Sequence, residues 1–291
     1  MQTNADGEAL IVRLSGGLGN QMFQFAFGSA LVGDRRLSFD LADLDRSHTR
    51  SFSLGCFGLN LDFSRFPLMA GAVTTVPGMW KWIRAFRHSV PLANGRLIWD
   101  AMKGFDPRWS EFTGSLYAVG YWQDERYFRS ISDQIRNHFT FSRECTSETN
   151  DLLSLSNGAV GVQVRRGDYT NAMTSRVHPP QGVDFFTQSV KHITERHDVR
   201  RVIVSTDDTA WAREHLDLPG FDVVFRSNEA PVWEDMMVLS RCDHVVISNS
   251  SFGWWSAWLG SEDRTVVCPS RWFGRGWEDF KSPAMSHWTT I

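Results

Sequence analysis

The run Ala159-Val160-Gly161-Val162-Gln163-Val164-Arg165-Arg166-Gly167-Asp168-Tyr169 decides the reading of this 291-residue chain. Small and β-branched residues predict a strand over Ala159 to Arg165, ended by a polar turn. Working outward, helical spacing covers Phe185 to Arg196, Ala210 to Leu216, Trp233 to Arg241 and Gly253 to Leu259. Between these lie strand-like runs at Arg201 to Ser205, Asp222 to Phe225, His244 to Ser248 and Thr265 to Cys268. Strands alternating with helices predict a parallel sheet covered on both faces, which binds ligands at the carboxyl ends of its strands.

Three polar clusters fall at such ends. The first is Arg165-Arg166-Gly167-Asp168-Tyr169, whose paired guanidiniums either offer planar donors to phosphate oxygens or form a surface turn closed by Asp168. The second is Ser205-Thr206-Asp207-Asp208, where a carboxylate can accept hydrogen bonds from a guanine edge or a ribose hydroxyl, or cap the next helix. The third, Ser248-Asn249-Ser250-Ser251-Phe252-Gly253-Trp254-Trp255, opens a helix, and backbone N–H groups beside small hydroxyls suit an anion. The sequon Asn249-Ser250-Ser251 is discounted as buried.

Near the start, Ala9 to Leu14 reads as a strand, Ser15 to Asn20 as a glycine turn, and Gln21 to Val32 as a helix. Gly17 lets backbone approach a ligand, and Asn20 is placed to point into an interdomain cleft. From Leu37 to about Asn150 the pattern is less regular, with turn signals at Pro67, Pro77-Gly78, Pro91, Asn94-Gly95 and Asp106-Pro107. The predicted division is 1–155, an acceptor-binding domain, and 156–291, a nucleotide-sugar-binding domain, with the last residues free to pack back on the first.

Thirty Lys plus Arg against 33 Asp plus Glu give a net charge of −3, which excludes a broad basic surface for nucleic acid. An anionic ligand therefore needs a local arginine cluster. Thirteen Trp and 21 Phe are many for this length; they fit an aromatic core, with a few available to stack on sugar faces. Cys56, Cys145, Cys242 and Cys268 lack zinc-type spacing and read as reduced thiols. Met1 to Glu8, polar and acidic, does not read as a signal peptide, and no stretch reaches the roughly 18 apolar residues of a membrane helix. The expectation is a cytoplasmic enzyme with at most peripheral contact at the inner face of the membrane. The aromatic and basic segment Met79 to Arg87 has the mix of a membrane-surface helix but is better explained by a helix packing its aromatic side on the core.

The blocks Gly16-Gly17-Leu18-Gly19-Asn20-Gln21-Met22-Phe23-Gln24, Val164-Arg165-Arg166-Gly167-Asp168-Tyr169, Ser205-Thr206-Asp207-Asp208 and Cys242 to Leu259 together resemble the alpha-1,2-fucosyltransferases of glycosyltransferase family 11. The resemblance implies an α/β, GT-B-like fold of two facing Rossmann-type domains with a cleft between them. It also implies transfer of L-fucose, with inversion, from GDP-fucose to the 2-hydroxyl of a terminal β-galactoside in an oligosaccharide or lipid-linked glycan. Residue by residue, it puts Arg165 on the diphosphate, supported by Arg166, and Asp207 or Asp208 near the guanosine. Asn249, Ser250, Ser251 and Phe252 surround nucleotide and phosphate, Gly17 belongs with them to the nucleotide-sugar site, and Asn20 lies near the transfer site. The family's arginine motif usually begins with His where this chain has Gln163, which cannot take up a proton near neutral pH.

Asp168 is the candidate base for the acceptor hydroxyl, and it can equally pair with an arginine. No metal or other cofactor is expected. Two rivals stand beside this reading. One is a metal-dependent transferase of another donor class using Asp43-Leu44-Asp45, a pattern that also fits helix-cap or loop chemistry. The other is a non-catalytic carbohydrate-binding protein that uses its tryptophans.

Overall fold

A computed structural model describes residues 7–65, 89–92, 95–227 and 229–291. The chain divides into two units, Met1–Thr140 and Phe141–Ile291.

In the first unit, β1 (Ala9–Arg13) leads through a glycine turn into α1 (Leu18–Leu31) and β2 (Arg36–Asp40), and β3 (Ser89–Leu92), β4 (Gly95–Trp99) and β5 (Leu116–Val119) complete the sheet. The strand order is β2-β1-β5-β4-β3, parallel throughout except for β3 against β4. Helix α1 begins three residues before the sequence suggests, because Gly17 takes the N-cap position with extended backbone and no side-chain cap. It is apolar nearly all round, burying Met22, Phe23, Phe25, Ala26 and Phe27. Pro91, expected in a turn, lies in β3, an edge strand that tolerates a missing N–H donor. Pro67, Pro77-Gly78, Asn94 and the segment Met79 to Arg87 fall outside the described residues. Helix α2 (Ser132–His138) lies near the end of this unit.

The second unit begins with α3 (Ser147–Leu155), earlier than the predicted boundary at 155/156. The Thr146 hydroxyl donates to Glu234 at 2.7 Å, and Arg226 donates to the Thr149 hydroxyl at 2.8 Å, so buried polar bonds tie α3 to this unit. There follow β6 (Ala159–Val164), α4 (Val183–Thr194), β7 (Arg201–Thr206), α5 (Thr209–His215), β8 (Asp222–Phe225), α6 (Val232–Arg241), β9 (His244–Ile247), α7 (Ser251–Trp258), β10 (Val266–Cys268) and β11 (Thr289–Thr290). All six strands are parallel, in the order β11-β10-β9-β6-β7-β8. The last residues thus form the outer strand of this sheet. Strand β6 is buried along its whole length, which explains its unbroken apolar character.

Each unit is a Rossmann-type open sheet with a topological switch, at β1/β5 in the first and at β6/β9 in the second. Among the described residues eight tryptophans are buried, so much of the aromatic richness belongs to the core. The four cysteines are unbridged. Among the described residues no helix is long and apolar enough to cross a membrane.

Candidate functional site

Register brings the three polar clusters together. Val164 pairs with Thr206 of β7, and Gln163 with Ile247 of β9, so Arg165, Asp207 and Ser248 leave three adjacent strands at one level. The Arg165 amide donates to the Ser248 hydroxyl at 3.0 Å. This is the switch point of the sheet, where a doubly wound fold binds its ligands.

The Arg165 guanidinium reaches two carboxylates: Nη1 lies 2.7 Å from Asp207 Oδ2, and Nη2 lies 2.5 Å from Asp168 Oδ1. Its side chain is 25% exposed, open enough to exchange a partner for a ligand oxygen. Asp207 Oδ1 also accepts the amides of Arg166 at 2.7 Å and Gly167 at 3.0 Å. One carboxylate therefore fixes both the turn and the guanidinium. A Cβ on Gly167 would stand 2.6 Å from Asp207 Oδ2, which explains the glycine.

Arg166 takes a different path. Its guanidinium lies 3.8 Å above the Trp211 ring and 3.3 Å from Asp208, so it binds the turn to α5. Asp208 caps that helix, accepting the Trp211 amide at 3.1 Å. Asp208 takes the helix-cap role that the sequence offers, and Asp207 holds Arg165, a pairing the sequence does not predict.

In the third cluster Ser250 is the N-cap of α7, its hydroxyl accepting the Gly253 amide at 3.0 Å and donating to Gln163 Oε1 at 3.2 Å. Gln163 Oε1 also accepts the Ser248 amide at 3.1 Å, so the residue standing in place of the family's histidine braces the loop. Half-buried Ser251 and Phe252 open the helix, and their amides meet no backbone acceptor among the described residues. Asn249 is fully buried. Its Nδ2 donates to the Pro179 and Trp272 carbonyls, at 3.2 and 2.9 Å, and its Oδ1 accepts from Gln181. Its side chain thus pins two loops, and its burial removes the sequon from modification. Tyr169 donates to the Asn249 carbonyl at 3.0 Å and stacks on His178, whose imidazole is held below its ordinary pKa by burial, against the pull of Asp168.

Gly17 and Asn20 belong to the first unit. The Gly17 carbonyl accepts the Asn20 amide at 3.0 Å, and Asn20 Oδ1 accepts Gln123 Nε2 at 2.8 Å. Asp43 and Asp45 lie on a one-turn helix and are engaged by arginines: Arg13 at 2.6 Å and Arg46 at 3.0 Å on Asp43, and Arg65 at 2.6 Å on Asp45. Among the described residues no cluster of His, Cys, Asp and Glu could hold a metal.

The pattern of glycosyl transferase family 11 matches residues 99–291. The chain belongs to that family. Relatives of this family 11 enzyme include an Escherichia coli alpha-1,2-colitosyltransferase, 28% identical over 97% of this chain and 98% of its own length. The Escherichia coli O-antigen biosynthesis glycosyltransferase WbnK is 30% identical over 89% of this chain and 93% of its own. A Plecturocebus brunneus galactoside alpha-(1,2)-fucosyltransferase 1 is 31% identical over 48% of this chain and 42% of its length. In fold, an Arabidopsis thaliana FUT1 mutant solved in complex with GDP covers 94% of this chain and 73% of its own at a TM-score of 0.50 and 12% identity. The two Rossmann-type units are accordingly GT-B-like.

One group in this family 11 enzyme has no counterpart in the sequence reading. Arg226, 1% exposed, pairs with Glu234 at 3.4 Å and with Asp235, and Asp235 accepts the Ser205 hydroxyl at 2.7 Å. Burial pushes the Asp235 carboxyl up despite Arg226 beside it. The network stiffens the end of β7 two residues before Asp207. Its only sequence signal is Glu234-Asp235, two acids on a helix next to buried Met236, Val238 and Leu239.

Proposed function

We propose that the enzyme transfers L-fucose from GDP-fucose to the 2-hydroxyl of a terminal β-galactoside, with inversion and without a metal. The observation that carries this reading is the placement of the Arg165 guanidinium beside the α7 start at the switch point of the second sheet. As the sugar–oxygen bond to the diphosphate breaks, negative charge grows on the leaving group. Arg165 and the amides of Ser251 and Phe252 stabilise it, each such donor typically contributing about 3 kcal/mol. Ligand contact in the third cluster falls to Ser251 and Phe252, because Ser250 caps and Asn249 is occupied.

Asp168, with a side chain 44% exposed, takes the proton of the acceptor hydroxyl. It is released for this when Arg165 turns from it to the diphosphate. Pairing of Asp43 and Asp45 with arginines supports the metal-independent reading over one in which they bind a cation. The names of the relatives support the linkage, since the colitosyltransferase and the fucosyltransferase both carry the alpha-1,2 designation. The first of these also makes nucleotide-linked colitose the competing donor. Acceptors of the O-antigen type, oligosaccharide or lipid-linked, suit the relationship to WbnK.

Calorimetric titration with GDP tests the nucleotide site. Binding in EDTA that disappears in Arg165→Ala supports it, and absence of binding by the wild-type chain contradicts it.

A further inference from the structure

The first unit carries two non-glycine residues in the left-handed region, Met102 at φ 56° and Trp122 at φ 54°. A bulky residue there is strained and persists only where its surroundings force it. Both follow the carboxyl ends of adjacent parallel strands, β4 and β5, and both are held by one side chain. Half-buried Asp100 accepts the Met102 amide on Oδ1 at 2.7 Å and the Trp122 amide on Oδ2 at 2.8 Å. The Trp122 indole is locked in the core, stacked on Phe27 with ring centroids 3.9 Å apart. The backbone after β5 is therefore clamped from both sides, and the next residue is Gln123.

Gln123 Nε2 donates to Asn20 Oδ1 across the β1/β5 switch point, the place where an open parallel sheet presents its ligand crevice. The Asn20 amide lies over Gly16, where a Cβ would stand 2.3 Å from Nδ2. Gln24, fully buried, holds the same corner: it accepts the Ser15 amide at 2.9 Å and donates to the Ser15 hydroxyl at 3.0 Å and the Gly120 carbonyl at 2.8 Å. Among the described residues neither Asn20 Nδ2 nor Gln123 Oε1 has a hydrogen-bond partner. Strain, a saturated buried amide and two open amide groups thus converge on one strand-end corner. An uncharged amide pair offering a donor beside an acceptor matches a pair of neighbouring sugar hydroxyls, each of which both donates and accepts.

We infer that Gln123 is a specificity-determining residue for the acceptor, reading a vicinal diol of a terminal hexopyranose together with Asn20, and that Asp100 is the positioning residue that holds it there. The inference rests on the glycosyl-transfer reading and deepens it.

The test is steady-state kinetics of Gln123→Ala with GDP-fucose and a β-galactoside. The expected result is an acceptor KM raised at least tenfold, with GDP-fucose KM within twofold of wild type. An unchanged acceptor KM, or a donor KM that rises equally, overturns the inference. Asp100→Asn, which loses one of two acceptor oxygens, should raise the acceptor KM in the same way. Adding Met102→Gly, which accepts the left-handed backbone without strain, should recover most of that loss. An Asp100→Asn chain that folds and keeps the wild-type acceptor KM removes Asp100 from its role, and one that fails to fold leaves Gln123→Ala to decide. Should wild-type chain bind no GDP, the nucleotide reading fails by itself. Saturation-transfer NMR with methyl β-galactoside then reads the corner alone: signal lost in Gln123→Ala supports the inference, and equal signal in both chains overturns it.

Discussion

Arg165 and Asp207 face each other across the ends of β6 and β7, Nη1 to Oδ2 at 2.7 Å, and the same aspartate holds the turn that carries the arginine. The guanidinium is thereby positioned before any ligand arrives, which reduces the ordering needed on binding. Arg165→Ala should lower turnover at least about a hundredfold, and Arg165→Lys should recover little, because one ammonium cannot replace a planar fork. Asp207→Asn should weaken GDP binding roughly tenfold, about 1.4 kcal/mol, with Arg165 still present. Initial rates and calorimetry on the three variants check this, and near-normal turnover in Arg165→Ala would sink the assignment.

The cap of α7 predicts a stability effect. Ser250→Ala removes both the bond to Gly253 and the hydroxyl on Gln163, so about 1 kcal/mol of stability should be lost, a fall of about 2–4 °C in Tm. The measurement is thermal unfolding followed by circular dichroism.

Stability should also respond to acid through α3. The Ser227 hydroxyl and amide hold the Glu148 carboxyl below its ordinary value of 4.5. Burial opposes the same shift at Glu234, but the hydroxyls of Thr149 and Thr146 and the Arg226 charge carry it down. A depressed carboxylate contributes stability above its unfolded pKa and loses it as pH falls through the folded one. Tm should therefore hold from pH 7 to about 5 and drop below about pH 4.5. Glu148→Gln should be less stable at pH 7 and show a shallower acid drop; an identical profile in the variant would remove Glu148 from the account.

Metal independence predicts full activity in excess EDTA, with no gain on adding manganese or magnesium. Asp45→Ala, which breaks only the exposed pair with Arg65, should keep wild-type rates. Loss of activity in either experiment would restore the Asp43-Leu44-Asp45 reading.

What the sequence revealed follows from physics. Strands β6, β7 and β9 are covered on both faces, so their apolar runs are unbroken and their ends conspicuous, and the clusters at 165, 207 and 250 could be placed from them. Strands β3 to β5 are short, with Pro91 inside β3, Gly95 opening β4 and Gly114 just before β5, so the first unit's sheet order stayed hidden. The division of labour between Arg165 and Arg166 depends on which carboxylate and which indole lie opposite, and Trp211 is forty-five positions away. The buried Arg226 pair and the Asp100 clamp are tertiary arrangements: neither a left-handed Trp122 nor a charge inside the core can be inferred from neighbouring residues.

The central claim is transfer from GDP-fucose to the 2-hydroxyl of a galactoside by the site around Arg165. The most direct measurement offers GDP-fucose and nucleotide-linked colitose with a panel of galactosides, and determines the product linkage by NMR. The account predicts an alpha-1,2-linked fucosyl galactoside, formed in EDTA and absent with Arg165→Ala. A different linkage, a product made only from the colitose donor, or a product made undiminished by Arg165→Ala would contradict it.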